Sequence, residues 1–79
     1  NPAHNILKVS CEPGSTYRIV AADGAEIEAG NLSNWLNFID LAELAAQYYF
    51  IEIASSTAVE RFKFLKVSFY SDGFMNISF

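Results

Sequence analysis

The feature that most narrows what this chain can fold into lies between Tyr48 and Val67. Tyr48-Tyr49-Phe50-Ile51-Glu52-Ile53-Ala54 is strongly β-forming, Ser55-Ser56-Thr57 reads as a loop, and Val59 to Val67 returns with Arg61, Lys63 and Lys66 set among Phe62, Phe64 and Leu65. That spacing predicts an antiparallel hairpin. Earlier segments carry the same kind of text. Residues 5–11 alternate Leu7, Val9 and Cys11 against Asn5, Lys8 and Ser10, the period of a half-buried strand, with Ile6 as the exception. Glu12-Pro13-Gly14-Ser15 is turn chemistry, at which the chain is expected to reverse. Thr16 to Ala22 is β-branched and aromatic, and Asp23-Gly24 supplies a two-residue hairpin turn before a further strand from Ala25 to Ala29, with Gly30-Asn31 expected to break that ladder.

One segment pulls the other way. Leu32, Trp35, Leu36 and Ile39 recur at i, i+3, i+4 and i+7, as in an amphipathic helix. Against this, Asp40 is placed to cap a turn whose third residue is Glu43, a reciprocal arrangement in which each carboxylate takes a backbone N–H. A helical turn would then begin only at Leu41. The last stretch holds Phe69-Tyr70, a Ser71-Asp72-Gly73 turn, and Phe74, Met75, Ile77 and Phe79, the text of one more hairpin arm. Six of the chain's aromatics fall between Phe62 and Phe79, a large apolar face unless it is packed or partnered.

Composition bounds the function. A chain of 79 residues, 52% hydrophobic and with a net charge of −4, is expected to be one small, soluble, mildly acidic domain that depends on its aromatics for apolar bulk. No uncharged apolar run reaches the roughly 18 residues of a membrane span, so no direct membrane insertion as a helix is expected. Five Lys or Arg against nine Asp or Glu lack the basic footprint of a nucleic-acid binder. One histidine, His4, and one cysteine, Cys11, make no zinc-binding cluster, and along an extended strand they stand over about 20 Å apart, too far to form a nucleophile pair. Asp40 and Glu43 fit a capped turn better than acid–base catalysis, and Gly14, Gly24, Gly30 and Gly73 stand singly in turns rather than in a phosphate-cradling loop. Neither a cofactor nor a metal is expected, and an enzyme is the least expected class. Trp35, beside Leu36 and Phe38, is read as a core plug. Arg61, Lys63 and Lys66 are either the solvated face of a guarded edge strand or a contact surface for a partner. The opening Asn1-Pro2-Ala3, without an initiator methionine or an apolar leader, is expected of a piece cut from a longer protein, any export signal lying upstream.

Taken in order, these segments resemble the type A C-terminal sorting domain of the Bacteroidota type IX secretion system. Asn-Pro-Ala followed by Asn5 to Val9 resembles the family's entry into its first strand, and Tyr17 to Ile27, with its Asp23-Gly24 turn, its middle hairpin. Ile39-Asp40-Leu41-Ala42-Glu43-Leu44-Ala45-Ala46, leading into Tyr48 to Ile53, is similar to its Ile-Asp-Leu-x-x-Leu turn and penultimate strand. Arg61-Phe62-Lys63-Phe64-Leu65-Lys66 looks like its lysine-bearing strand. The resemblance spans residues 1–66, with residues 67–79 as an apolar extension beyond it.

What the resemblance implies is an all-β fold, a small immunoglobulin-like antiparallel β-sandwich of about seven strands. It also implies that Asn34 to Phe38 is a strand and only Asp40 to Ala45 a helical turn. The implied role is an address label on an exported cargo protein. The cargo precedes the domain in the precursor, crosses the periplasm, is handed to the outer-membrane translocon and a shuttle β-barrel, and reaches the cell surface or medium. There a sortase removes the domain. Arg61, Lys63, Phe64 and Lys66 would carry recognition, and Asp23, Gly24, Trp35, Asp40 and Glu43 structure. Two departures stand out: Ala46 and Gln47 occupy the place of a usual glycine, and the tail continues past the family's usual end, as an extra strand, a variant terminus or a defective signal. The alternatives from other classes are an immunoglobulin-like accessory module binding glycan or protein through Trp35, Tyr48 or Tyr49, and a subunit that oligomerises through Phe69 to Phe79.

Overall fold

In a computed structural model, which describes residues 6–66 and 74–78, seven strands form two sheets. They are β1 (Ile6–Ser10), β2 (Ser15–Ala21), β3 (Glu26–Leu32), β4 (Leu36–Asp40), β5 (Tyr48–Ala54), β6 (Val59–Leu65) and β7 (Phe74–Ser78). One sheet has the order β4-β1-β7 and the other β3-β2-β5-β6. The all-β expectation holds, and the two sheets close on one core as a small sandwich. Pairing is not antiparallel throughout, because β7 runs parallel to β1, with Ile6 opposite Phe74 and Ser10 opposite Ser78. Phe74–Ser78 is therefore a strand of the three-stranded sheet, paired in parallel with β1, while the first arm expected for a terminal hairpin, Phe69-Tyr70, lies outside the described residues. His4 and the Ser71-Asp72-Gly73 turn lie outside the described residues.

Alternation decides which side chains meet. Leu7 and Val9 on β1, Ile39 on β4 and Ile77 on β7 face Ile19, Leu32, Tyr49, Ile51, Ile53 and Phe64 of the other sheet, and all are buried. Each fully buried aliphatic side chain contributes about 1.5–3 kcal/mol relative to its exposed state. Cys11 joins this core as an apolar residue. The turn Glu12-Pro13-Gly14-Ser15 carries the chain from one sheet to the other; Gly14 takes φ 95°, and the Ser15 hydroxyl donates to the Glu12 carbonyl at 2.7 Å.

Local expectations are corrected at several points. The β2–β3 loop has three residues, Ala22-Asp23-Gly24, because Ala21 N–H donates to Ala25 O and Gly24 N–H to Ala21 O, both at 2.9 Å, with only Gly24 at positive φ. This is a tight turn followed by a left-handed glycine, a longer connection than a two-residue Asp-Gly loop. Gly30-Asn31 does not break the ladder, since both residues pair with β2 opposite Tyr17 and Thr16. The residue left over is Ile27, because Val20 pairs with Glu26 and Ile19 with Glu28.

The segment from Leu32 to Gln47 is not a helix but a strand followed by a turn, as the resemblance implied, with the bounds shifted and the turn shorter than expected. β4 begins at Leu36, two residues later than expected, and Leu41 to Leu44 is a single reverse turn closed by Leu44 N–H on Leu41 O at 3.0 Å. Asp40 Oδ1 accepts from Ala42 N–H at 2.9 Å, whereas Glu43 makes no reciprocal bond among the described residues. The helical spacing misleads because its members part company: Leu32 and Ile39 are buried, while Trp35 and Leu36 are exposed. Gln47 carries no backbone strain, because among the described residues only glycines have positive φ.

Candidate functional site

Among the described residues β6 stands at the edge of the four-stranded sheet, paired only with β5, and its alternation splits the recognition residues into two groups. Arg61 and Lys63 point outward. Phe64 points inward, 7% exposed, and stacks on Tyr49 with ring centroids 5.7 Å apart. Lys66 lies just past the strand and is buried at 6% exposure; its ammonium donates to Leu44 O at 2.9 Å and its N–H to Gln47 O at 3.0 Å. A hydroxyl reinforces this corner, as Tyr49 donates to Ala45 O at 2.8 Å. So of the four residues, two are available to a partner and two hold the 41–47 turn against the end of β6.

The outward pair has company that the sequence reading missed. Glu52, on β5, receives Arg61 Nη2 at 2.6 Å and Arg18 Nε at 2.7 Å, and Arg18 reaches on to Glu26 at 3.3 Å. The register places Arg18 opposite Glu52 and Glu52 opposite Arg61, so the ladder crosses the whole sheet. Hydrogen bonds from Arg61, then from Arg18, hold the Glu52 carboxyl below the usual carboxylate range, and the same contacts make Arg18 harder to deprotonate. Arg61 also lies over the Phe50 ring at 4.9 Å, and Lys63 over the Tyr48 ring at 4.5 Å. The overlooked cue was Glu52 itself, the single charge in an otherwise apolar strand.

The residues read as structural divide as well. Asp23 caps its own turn, its Oδ1 accepting from Ala25 N–H at 3.0 Å, and Asp40 does likewise for Ala42. Trp35 is not a core plug: it is 71% exposed, on the outer side of the three-stranded sheet with Leu36 and Phe38. What fills the inner position is Asn37, whose amide donates to Asn34 O at 2.8 Å and Val9 O at 3.3 Å, so a polar residue is satisfied where an aromatic was expected. Of the three aromatics considered for ligand binding, Tyr49 is buried, Tyr48 is 51% exposed with the Lys63 ammonium over its ring, and Trp35 is the most exposed.

Among the described residues there is no group of three or more His, Cys, Asp or Glu placed to hold a metal ion, and no helix long and apolar enough to cross a membrane. No family model matches the chain, and neither a curated protein nor a solved structure is found to be similar to it.

Proposed function

We propose that the chain is an immunoglobulin-like C-terminal sorting domain of the type IX secretion system. In this reading it directs an N-terminal cargo protein across the outer membrane and is then removed by a surface sortase. The observation that carries the reading is the position of the lysine-bearing strand: among the described residues β6 is a sheet edge, with Arg61 and Lys63 outward. An edge strand offers unpaired backbone groups to an incoming strand of the translocon or the shuttle β-barrel, and its outward side chains select the partner. The domain acts as ligand and as protease substrate, with no chemistry of its own. Lys66 takes a structural part in this account, locking the turn beside β6, and Lys63 with Arg61 meets the partner.

The test fuses residues 1–79 behind a signal peptide and a fluorescent reporter in a Bacteroidota host, with and without a working type IX translocon. Export that needs the translocon, and that falls with Lys63→Glu at unchanged melting, is the expected result. Retention of a folded fusion in both strains overturns the reading.

A further inference from the structure

The outer face of the three-stranded sheet holds a different kind of site. β4 and β1 pair so that Leu36 lies opposite Ser10, and β1 and β7 so that Ser10 lies opposite Ser78. This row forms part of an open groove that is also lined by Lys8, Glu12 and Trp35. The Trp35 indole makes no ring contact among the described residues, and the Lys8 ammonium, the Glu12 carboxylate and the hydroxyls of Ser10 and Ser78 have no hydrogen-bond partner among them. The opposite face differs, for its arginines and glutamates are paired with each other and Tyr48 and Phe50 lie under cations. The hollow there, lined by Thr16, Ala29, Ala54 and Val59, meets Arg18 and Glu52 already engaged.

We infer that the Trp35 groove binds a saccharide. A pyranose ring has an apolar face of C–H bonds, which stacks on an indole, and a rim of hydroxyls that both donate and accept. The groove supplies a flat aromatic wall, an acceptor-only carboxylate, a donor-only ammonium and two hydroxyls that do either. One cation and one anion make it close to neutral, and the chain carries a net charge of −4, so phosphorylated or polyanionic ligands are disfavoured against an uncharged, hydroxyl-rich one. The groove is open, which lets a chain of sugars pass along the row. This site lies on the other sheet from β6, and its test does not depend on export.

Trp35 is the only tryptophan, so its emission reports the site directly. The purified chain is titrated with cellohexaose, xylohexaose, mannohexaose and chitohexaose, each to about 10 mM, a range that captures weak single-site binding. A saturable blue shift with at least one of them is expected. Calorimetry with that sugar should then give an affinity lowered about tenfold or more in Trp35→Ala, as truncating a central aromatic does, and lowered several-fold in Glu12→Gln, with both variants melting as the parent. No saturable response to any of the four overturns the inference, and so does binding that survives Trp35→Ala. A blue shift that grows with protein concentration in the absence of sugar also overturns it, because the groove is then covered by a second copy.

Discussion

The side-chain ammonium of Lys66 donates to the carbonyl oxygen of Leu44 at 2.9 Å, across 22 positions of sequence. A buried cation facing a carbonyl tolerates loss of charge better than its reversal. Lys66→Glu should lower unfolding free energy by about 2–4 kcal/mol, because a carboxylate there faces an oxygen with no donor between them. Lys66→Met, which keeps the apolar stem, should cost about 1 kcal/mol. Urea unfolding of both variants checks the order; equal stability of Lys66→Glu and the parent would remove the lock from the account.

Tyr17 gives a pH signature. Its ring lies over Gly30, where a Cβ would come within 2.8 Å of Tyr17 Cε1, and its hydroxyl donates to Glu28 at 2.6 Å. Burial first, and then the bond to Glu28, push the phenol from 10.0 up to about 12. A raised pKa means that the folded state holds this proton where the unfolded chain has lost it. The stabilisation is therefore complete below pH 10.0 and lost as pH rises through about 12. Melting temperature should fall across that window, and Tyr17→Phe should flatten the fall. An unchanged slope in the variant would assign the alkaline loss to other groups.

Gly30 is held to glycine by the same contact. Gly30→Ala should destabilise by about 1–3 kcal/mol through the clash with the ring, and by less in a Tyr17→Ala background where the space is open. A double-mutant cycle on thermal or urea unfolding measures the coupling, and additive effects would rule out the contact as the cause.

Glu52 should govern acid stability of the outer ladder. Its carboxyl is held low by Arg61 and then Arg18, so what the ladder contributes is present above the ordinary carboxylate pKa and disappears as pH falls through the lowered value. Glu52→Gln should lose stability at neutral pH and little at acid pH, and the difference should shrink in high salt because the arginines are half-exposed. Melting curves against pH at two salt concentrations make the comparison.

Much of the fold was legible because short strands announce themselves by alternation and by their turns. Tyr48–Ala54 is β5 to the residue, and Leu7, Val9 and Cys11 are buried as their spacing implied. What alternation does not carry is the partner of each strand: nothing local to Phe74–Ser78 says that it pairs in parallel with a strand some 68 residues earlier. Trp35 was misplaced for a related reason. Size and apolarity argue for the interior, but parity along β4 gives the inner positions to Asn37 and Ile39, and the loop before the strand leaves the indole outside. Charge clusters raised the same difficulty, for Lys66 looks in sequence like a third surface cation beside Arg61 and Lys63, and only the turn from Leu41 to Leu44 turns it into a buried donor.

The parallel pairing of β1 with β7 also sets how the domain would bear tension. A pull that enters at Ile6 and leaves at Ser78 draws the two strands along their length in opposite directions, since the first is loaded at its start and the last at its finish. Their evenly spaced, slanted hydrogen bonds are then sheared together instead of being peeled one after another. Resistance to such a pull is set by the rate of crossing the unfolding barrier rather than by equilibrium stability. A domain wired in this way behaves as a clasp, strongest along the line that joins its first strand to its last.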